Sequence, residues 1–167
     1  MDGLEAPWRV AAQSCAAPPT PLWREDLAKL LGARPRRLGT WAELGLYGAC
    51  TCLQAAGLGV LPSQAMVCVA SLSGSESATH ATAEQCRDGL PLPFGFLQSQ
   101  SSQLLAAFGQ WLQWEGEGGF LAHRDPACAW RLAQREALLA HASGVLLGQV
   151  EESGVHLSTQ WWWLVRG

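Results

Sequence analysis

The sequence predicts a single α/β domain, residues 1–167, built on a five-stranded, mostly parallel sheet with helices on both faces. Three observations predict it. Strand-like apolar runs alternate with helix-periodic segments along the chain, the pattern of βαβ units joined by right-handed crossovers. The run Met66-Val67-Cys68-Val69-Ala70-Ser71-Leu72 is apolar and contains β-branched residues, as a parallel strand covered on both faces requires. Residues 144–151 and 155–165 read as two strands joined by Glu151-Glu152-Ser153-Gly154, so the last strand returns antiparallel. The length fits one such domain and leaves no room for a second.

Each element follows from local chemistry. Residues 8–14 form a first short apolar strand, and the prolines of Ala16-Ala17-Pro18-Pro19-Thr20-Pro21 end it in a loop. Residues 38–57 place Trp41, Leu44, Leu46, Ala49, Leu53 and Ala56 at helical intervals, with Thr40 and Glu43 as a capping pair and Gly57 as the stop. The remaining face of this helix is small and apolar, so it is expected to be buried on most sides. After the second strand, Ser73-Gly74-Ser75-Glu76-Ser77 turns into a weak helix, which Leu90-Pro91-Leu92-Pro93-Phe94 is expected to stop. From Ser101 a stronger helix carries Leu104, Leu105, Phe108, Trp111 and Leu112 on one face, and Glu115-Gly116-Glu117-Gly118-Gly119 ends it. A strand through Phe120 and Leu121 then meets a turn at Asp125-Pro126-Ala127-Cys128, followed by an alanine- and leucine-rich helix.

Composition narrows the function classes. Eleven Lys and Arg against fourteen Asp and Glu give a net charge of −3, and only Arg34-Pro35-Arg36-Arg37 clusters basic residues, so nucleic-acid binding is not expected. The six cysteines show no Cys-x-x-Cys pair, and several lie in apolar runs, the pattern of reduced thiols in a cytoplasmic protein. Cys50 and Cys52, two apart on a helix, point to different sides and are expected in the core rather than on a metal; neither metal nor cofactor is expected. Residues 1–5 lack a basic segment followed by an apolar one, and no apolar run approaches the roughly 20 residues of a membrane span.

The turn at Cys128 holds the sharpest chemical candidate. A helix N-terminus lowers a thiol pKa and presents N–H groups to a developing oxyanion. Cys128 reads either as an acyl-accepting nucleophile, with His123 five positions away as a base, or as a packed core thiol. Ser73 and Ser75 lack the Gly-x-Ser-x-Gly frame and read as a turn with a cap. Trp161-Trp162-Trp163 must send rings to both faces of the last strand, so these residues read as core or as interface.

Four segments carry a resemblance to a known family. Arg36-Arg37-Leu38 opens the first helix, Ala70-Ser71-Leu72-Ser73-Gly74-Ser75 follows the second strand, Leu92-Pro93-Phe94-Gly95-Phe96-Leu97-Gln98-Ser99 precedes the next helix, and Gly148-Gln149-Val150-Glu151-Glu152 follows the fourth. In this order and spacing they resemble the N-terminal half of the ketosynthases, most closely the β-ketoacyl synthase-like, chain-length-factor-like branch associated with aryl polyene synthesis. The resemblance covers roughly residues 34–152. It implies a thiolase-like half fold of β-α-β-α-β-α-β-β layout.

It also implies that the second half, which supplies the two activating histidines of a condensing enzyme, is not in this chain. None of His80, His123, His141 and His156 belongs to it. Ala127-Cys128-Ala129 resembles the family's nucleophile turn, although Trp130 is bulkier than the residue usual there. The implied function is an accessory subunit, non-condensing alone, in aryl polyene or other type II polyketide or fatty-acid-like synthesis. Its implied partner is a ketosynthase subunit or a second copy, contacted through the edge strand at 119–124, with Phe120, Leu121, His123, Trp161, Trp162 and Trp163 as contact candidates. An acyl carrier protein is a further partner, with Arg34, Arg36 and Arg37 meeting its phosphopantetheine arm or acidic surface unless they are merely a solvated helix start. Two other readings remain: a homodimeric acyl-thioester enzyme using Cys128, and an interaction scaffold without catalysis.

Overall fold

The computed structural model describes residues 8–90, 92–123 and 125–167, so the leader reading at residues 1–5, Pro91 in the expected helix stop and Arg124 in the expected edge strand lie outside the described residues. Eleven elements follow in order: β1 (Trp8–Ala16), α1 (Trp23–Leu31), α2 (Thr40–Ala55), β2 (Ala65–Ser71), α3 (Glu76–Arg87), α4 (Pro93–Gln98), α5 (Ser102–Leu112), β3 (Gly118–Ala122), α6 (Pro126–Leu139), β4 (Gly144–Ser153) and β5 (His156–Arg166). They form one five-stranded sheet in the order β1-β5-β4-β2-β3. β2 pairs parallel with β3 and β4, whereas β5 runs antiparallel to both its neighbours, β4 and β1. Four strands therefore point one way and only the last is reversed, as expected, although the ladders themselves divide evenly between the two kinds.

Burial explains the strand compositions. All seven residues of β2 are buried because the strand is internal and covered on both faces. α2 and α5 cover one face, packing Trp41, Leu46, Leu104 and Phe108 against Val67, Leu146 and Trp161. α6 covers the other through Ala133 and Ala137 on Met66, Cys68, Val145 and Leu147. These alanines let the helix axis approach the sheet closely. α2 has ten buried residues of sixteen, so the helix with two apolar faces is interior.

Three local expectations are corrected. The stretch after the prolines is not only loop: Trp23 and Leu27, one turn apart and both buried, anchor α1, which ends at Gly32 with φ +73°. The Thr40–Glu43 capping pair does not form, since Arg24 of α1 takes both side chains, its Nε donating to Glu43 Oε2 at 2.8 Å and its Nη2 to Thr40 Oγ1 at 3.1 Å. Pro93 does not merely stop a helix; it occupies the first turn of α4, where its missing N–H has no intrahelical partner to lose.

Candidate functional site

The loops at the carboxyl ends of the parallel strands β2, β3 and β4 meet on one side of the domain. Glu151, near the end of β4, organises them. Its Oε1 accepts from Leu72 N at 2.8 Å, and its Oε2 accepts from Ser71 Oγ and Ser73 Oγ, both at 3.0 Å, and from Ser73 N at 3.2 Å. Ser71 Oγ in turn accepts from Gly74 N at 2.8 Å. The neighbouring Glu152 is buried and accepts from Ser77 Oγ at the start of α3, while Ser75 Oγ donates to Ser99 O at 2.8 Å. Ser73 and Ser75 thus hold the turn together as expected, but the expected cap does not form: Ser75 precedes α3 without a side-chain cap, its hydroxyl being turned to Ser99 O. No signal short of the fold itself identified Glu151 as the carboxylate that fixes this loop.

β3 is an edge strand, and the turn that follows it is built around Asp125. His123 N donates to Ser71 O at 3.1 Å, extending the β2–β3 ladder by one residue. Asp125 caps α6, its carboxylate accepting from Ala127 N at 2.9 Å while its carbonyl accepts from Cys128 N at 3.1 Å and Ala129 N at 3.2 Å. Cys128 is half-buried in this first turn. The amides of Ala127 and Cys128, which an oxyanion would need, are both engaged by Asp125. His123 accepts from Asp125 N through Nδ1 at 2.9 Å, so that nitrogen is engaged within the turn. Among the described residues no hydrogen bond joins His123 to Cys128.

The tryptophans divide by strand alternation. Trp161 and Trp163 are buried against the α2–α5 side, and Trp161 Nε1 donates to Thr159 Oγ1 at 2.9 Å. Gly148 opposite it and Gly48 on α2 leave the room for its ring: a Cβ on either would lie 2.5 Å from Trp161 ring atoms. Trp162 points to the α6 side, edge-on to Trp130 with centroids 5.8 Å apart, and both line a cavity of about 390 Å³ with Ala127 and Arg131. The interface expectation for the triplet therefore narrows to Trp162. Phe120 and Leu121 are half-buried on the free edge.

A larger apolar surface escaped sequence reasoning. α3 and α4 bury no residue, and Leu72, Leu90, Leu92, Phe94, Phe96 and Leu97 are each more than half exposed. Their contacts are mainly with one another's helices rather than with the sheet. Exposed apolar side chains in such density mark an interaction surface, and the signal lay in Leu92-Pro93-Phe94-Gly95-Phe96-Leu97, where consecutive apolar residues leave no polar face.

Away from this side, Arg34, Arg36 and Arg37 line a cavity of about 630 Å³ against α5. Burial pushes three interior thiols up, Cys50 and Cys68 to about 12 and Cys52 to about 11, so none is a nucleophile near neutral pH. No group of three His, Cys, Asp or Glu that could hold a metal occurs among the described residues, and none of the described helices is long and apolar enough to cross a membrane.

No protein-family model and no curated protein matches the sequence. Solved structures do match its backbone. A chain of the ishigamide ketosynthase/chain length factor superposes with TM-score 0.74 at 12% identity over 96% of this chain and 62% of that one. The ketosynthase ApeO in complex with its chain length factor ApeC from Xenorhabdus doucetiae gives 0.69 at 14% identity, over 96% and 79%. A type II polyketide acyl carrier protein in complex with its ketosynthase, AntDE:AntF, gives 0.68 at 10% identity, over 95% and 62%. The chain thus spans about three fifths of the first of these. At such identities the likeness shows the fold, and that fold is the thiolase-like half of ketosynthases and chain length factors.

Proposed function

We propose that this protein is a ketosynthase-like accessory subunit that does not condense acyl units by itself and works beside a ketosynthase in aryl polyene or other type II polyketide or fatty-acid-like synthesis. The observation that carries this reading is the pairing of that fold with two surfaces suited to a partner: the edge strand β3, and the exposed apolar residues of α4 and of the loops on either side of α3. An edge strand with unpaired N–H and C=O groups is a template for a partner strand, and uncovered it invites aggregation. In the proposed complex Phe120, Leu121 and His123 lie at the β3 edge, Phe94, Phe96 and Leu97 form a second contact, and Trp162 contributes a separate apolar face. Arg34, Arg36 and Arg37 supply positive charge for the phosphate or acidic face of a carrier protein.

The Cys128 turn supports the non-condensing part of the reading, because Asp125 occupies the amides and His123 is not placed as a base. A homodimeric acyl enzyme would require a histidine from the second copy and release of Cys128 N from Asp125. Incubation with an acyl thioester followed by intact mass spectrometry separates the two. The accessory reading expects no stable adduct on Cys128, whereas an adduct lost in Cys128→Ala would establish the enzyme.

A further inference from the structure

Arg34, Arg36 and Arg37 face a cavity of about 630 Å³ whose other walls include Gln103, Gln110 and Trp111, with no carboxylate among its lining residues. None of the three arginines forms an ion pair among the described residues, in contrast to Arg24, whose charge is met by Glu43. The loop that carries them is held in one shape. Arg37 has φ +68°, a conformation that costs a non-glycine residue about 1 kcal/mol or more and persists only when its surroundings impose it. They do so through Gln103, whose Nε2 donates to Arg37 O at 3.0 Å and whose Oε1 accepts from Gly39 N at 2.9 Å. The Arg37 guanidinium rests on the Phe94 ring, 5.1 Å from its centroid. Arg34 and Arg36, exposed at a cavity with no carboxylate in its lining, with Arg37 stacked on Phe94 on the same loop, offer positive charge to an anion.

A second cavity of about 370 Å³ shares Trp111 with it and is lined by five leucines (Leu30, Leu31, Leu53, Leu58 and Leu112) together with Cys50, Gln54 and Gly59. Trp111 lines both cavities, and the chain passes from Leu31 in one to Arg34 in the other within three residues. The two cavities therefore meet at Trp111, arginines on one side and leucines on the other.

We propose that this double cavity binds a single-chain lipid phosphate, with the phosphate among the arginines and the hydrocarbon chain along the leucines. A phosphate monoester suits the site better than a carboxylate, since it carries up to two negative charges near pH 7 and three acceptor oxygens for planar guanidinium forks. Its arginines are those proposed above to meet a carrier protein, but binding of a lipid phosphate needs neither that partner nor the β3 edge, so its failure and that of the accessory-subunit reading are distinguishable.

Isothermal titration of the full chain with octyl phosphate, hexyl phosphate, octanol and inorganic phosphate tests it. One octyl phosphate is expected per chain. Hexyl phosphate should bind about tenfold more weakly, as loss of two buried methylenes implies at about 0.8 kcal/mol each, and octanol and inorganic phosphate more weakly still. The double variant Arg34→Gln/Arg36→Gln, both positions exposed, should weaken octyl phosphate at least tenfold while leaving the melting temperature unchanged. Leu58→Gln should weaken octyl phosphate but not inorganic phosphate; if that variant fails to fold, the chain-length series decides the same point. Absence of saturable octyl phosphate binding, affinity independent of chain length, or affinity unchanged in the arginine double variant would each overturn the proposal.

Discussion

Replacement of Glu151 by glutamine probes the loop on which the docking side depends. The carboxylate receives Leu72 N, Ser71 Oγ, Ser73 N and Ser73 Oγ through two oxygens, an arrangement that needs acceptors at both positions. Glutamine supplies one acceptor and one NH2, so in either orientation an N–H faces another N–H. The lost interactions are charge-assisted, worth roughly 1.5–3 kcal/mol, and the upper part of that range is reached only if water does not replace the carboxylate at the half-exposed Leu72 and Ser73 amides. For a domain of 167 residues, each kcal/mol corresponds to about 2–4 °C in melting temperature, so a fall of about 3–12 °C is expected by calorimetry. The same loop carries Leu72 on the docking side, and hydrogen exchange at Leu72, Ser73 and Gly74 should accelerate with the loss. A variant melting within 1 °C of the parent, with those amides still protected, would refute the assignment of Glu151 as the clamp.

Other consequences are equally specific. Gly148→Ala drives a Cβ to 2.5 Å from the buried Trp161 ring and should cost about 1–3 kcal/mol, whereas Gly119→Ala, with no atom within 4 Å of its added Cβ, should be close to neutral; chemical denaturation compares them. In native protein at pH 8, a thiol reagent should modify the exposed Cys15 and Cys86 first and Cys128 more slowly, and should reach Cys50, Cys52 and Cys68 only after unfolding. Because those three buried thiols titrate near 11–12 when folded and at about 8.5 when unfolded, the unfolded chain releases protons first, and stability present below about pH 8.5 should decline as pH rises toward 11; a melting temperature flat to pH 11 would contradict this. His123→Ala should leave the alkylation rate of Cys128 within about twofold, whereas a catalytic base would contribute about a hundredfold or more.

Much of the fold was legible because the apolar periods are strong where burial is complete. β2 and β4 read as strands for the same reason that they are buried on both faces, and the alternation of Trp161, Trp162 and Trp163 followed directly from strand geometry. α1 was hidden because its apolar signal is short and follows three prolines within a few residues of sequence, and the α2 cap differed because Arg24, sixteen residues from Thr40, competes for the capping side chains. At the site, sequence placed Cys128 at a helix start correctly. It did not reveal that Asp125 engages the amides, because the same Asp-Pro pair reads equally as a turn and as a cap. Glu151 was invisible as a clamp since its partners lie about 80 residues away in sequence.

We propose that the β3 edge and the exposed apolar surface of α4 seat a ketosynthase. The most direct test is the solution mass of the protein, by light scattering behind a sizing column, alone and mixed with its cognate ketosynthase. The account predicts a one-to-one complex that forms with the parent chain and is lost in Phe94→Asp/Phe96→Asp, whose side chains are more than half exposed and whose removal should leave the melting temperature intact. A parent chain that stays monomeric in the mixture, or a complex indifferent to that double variant, would contradict it.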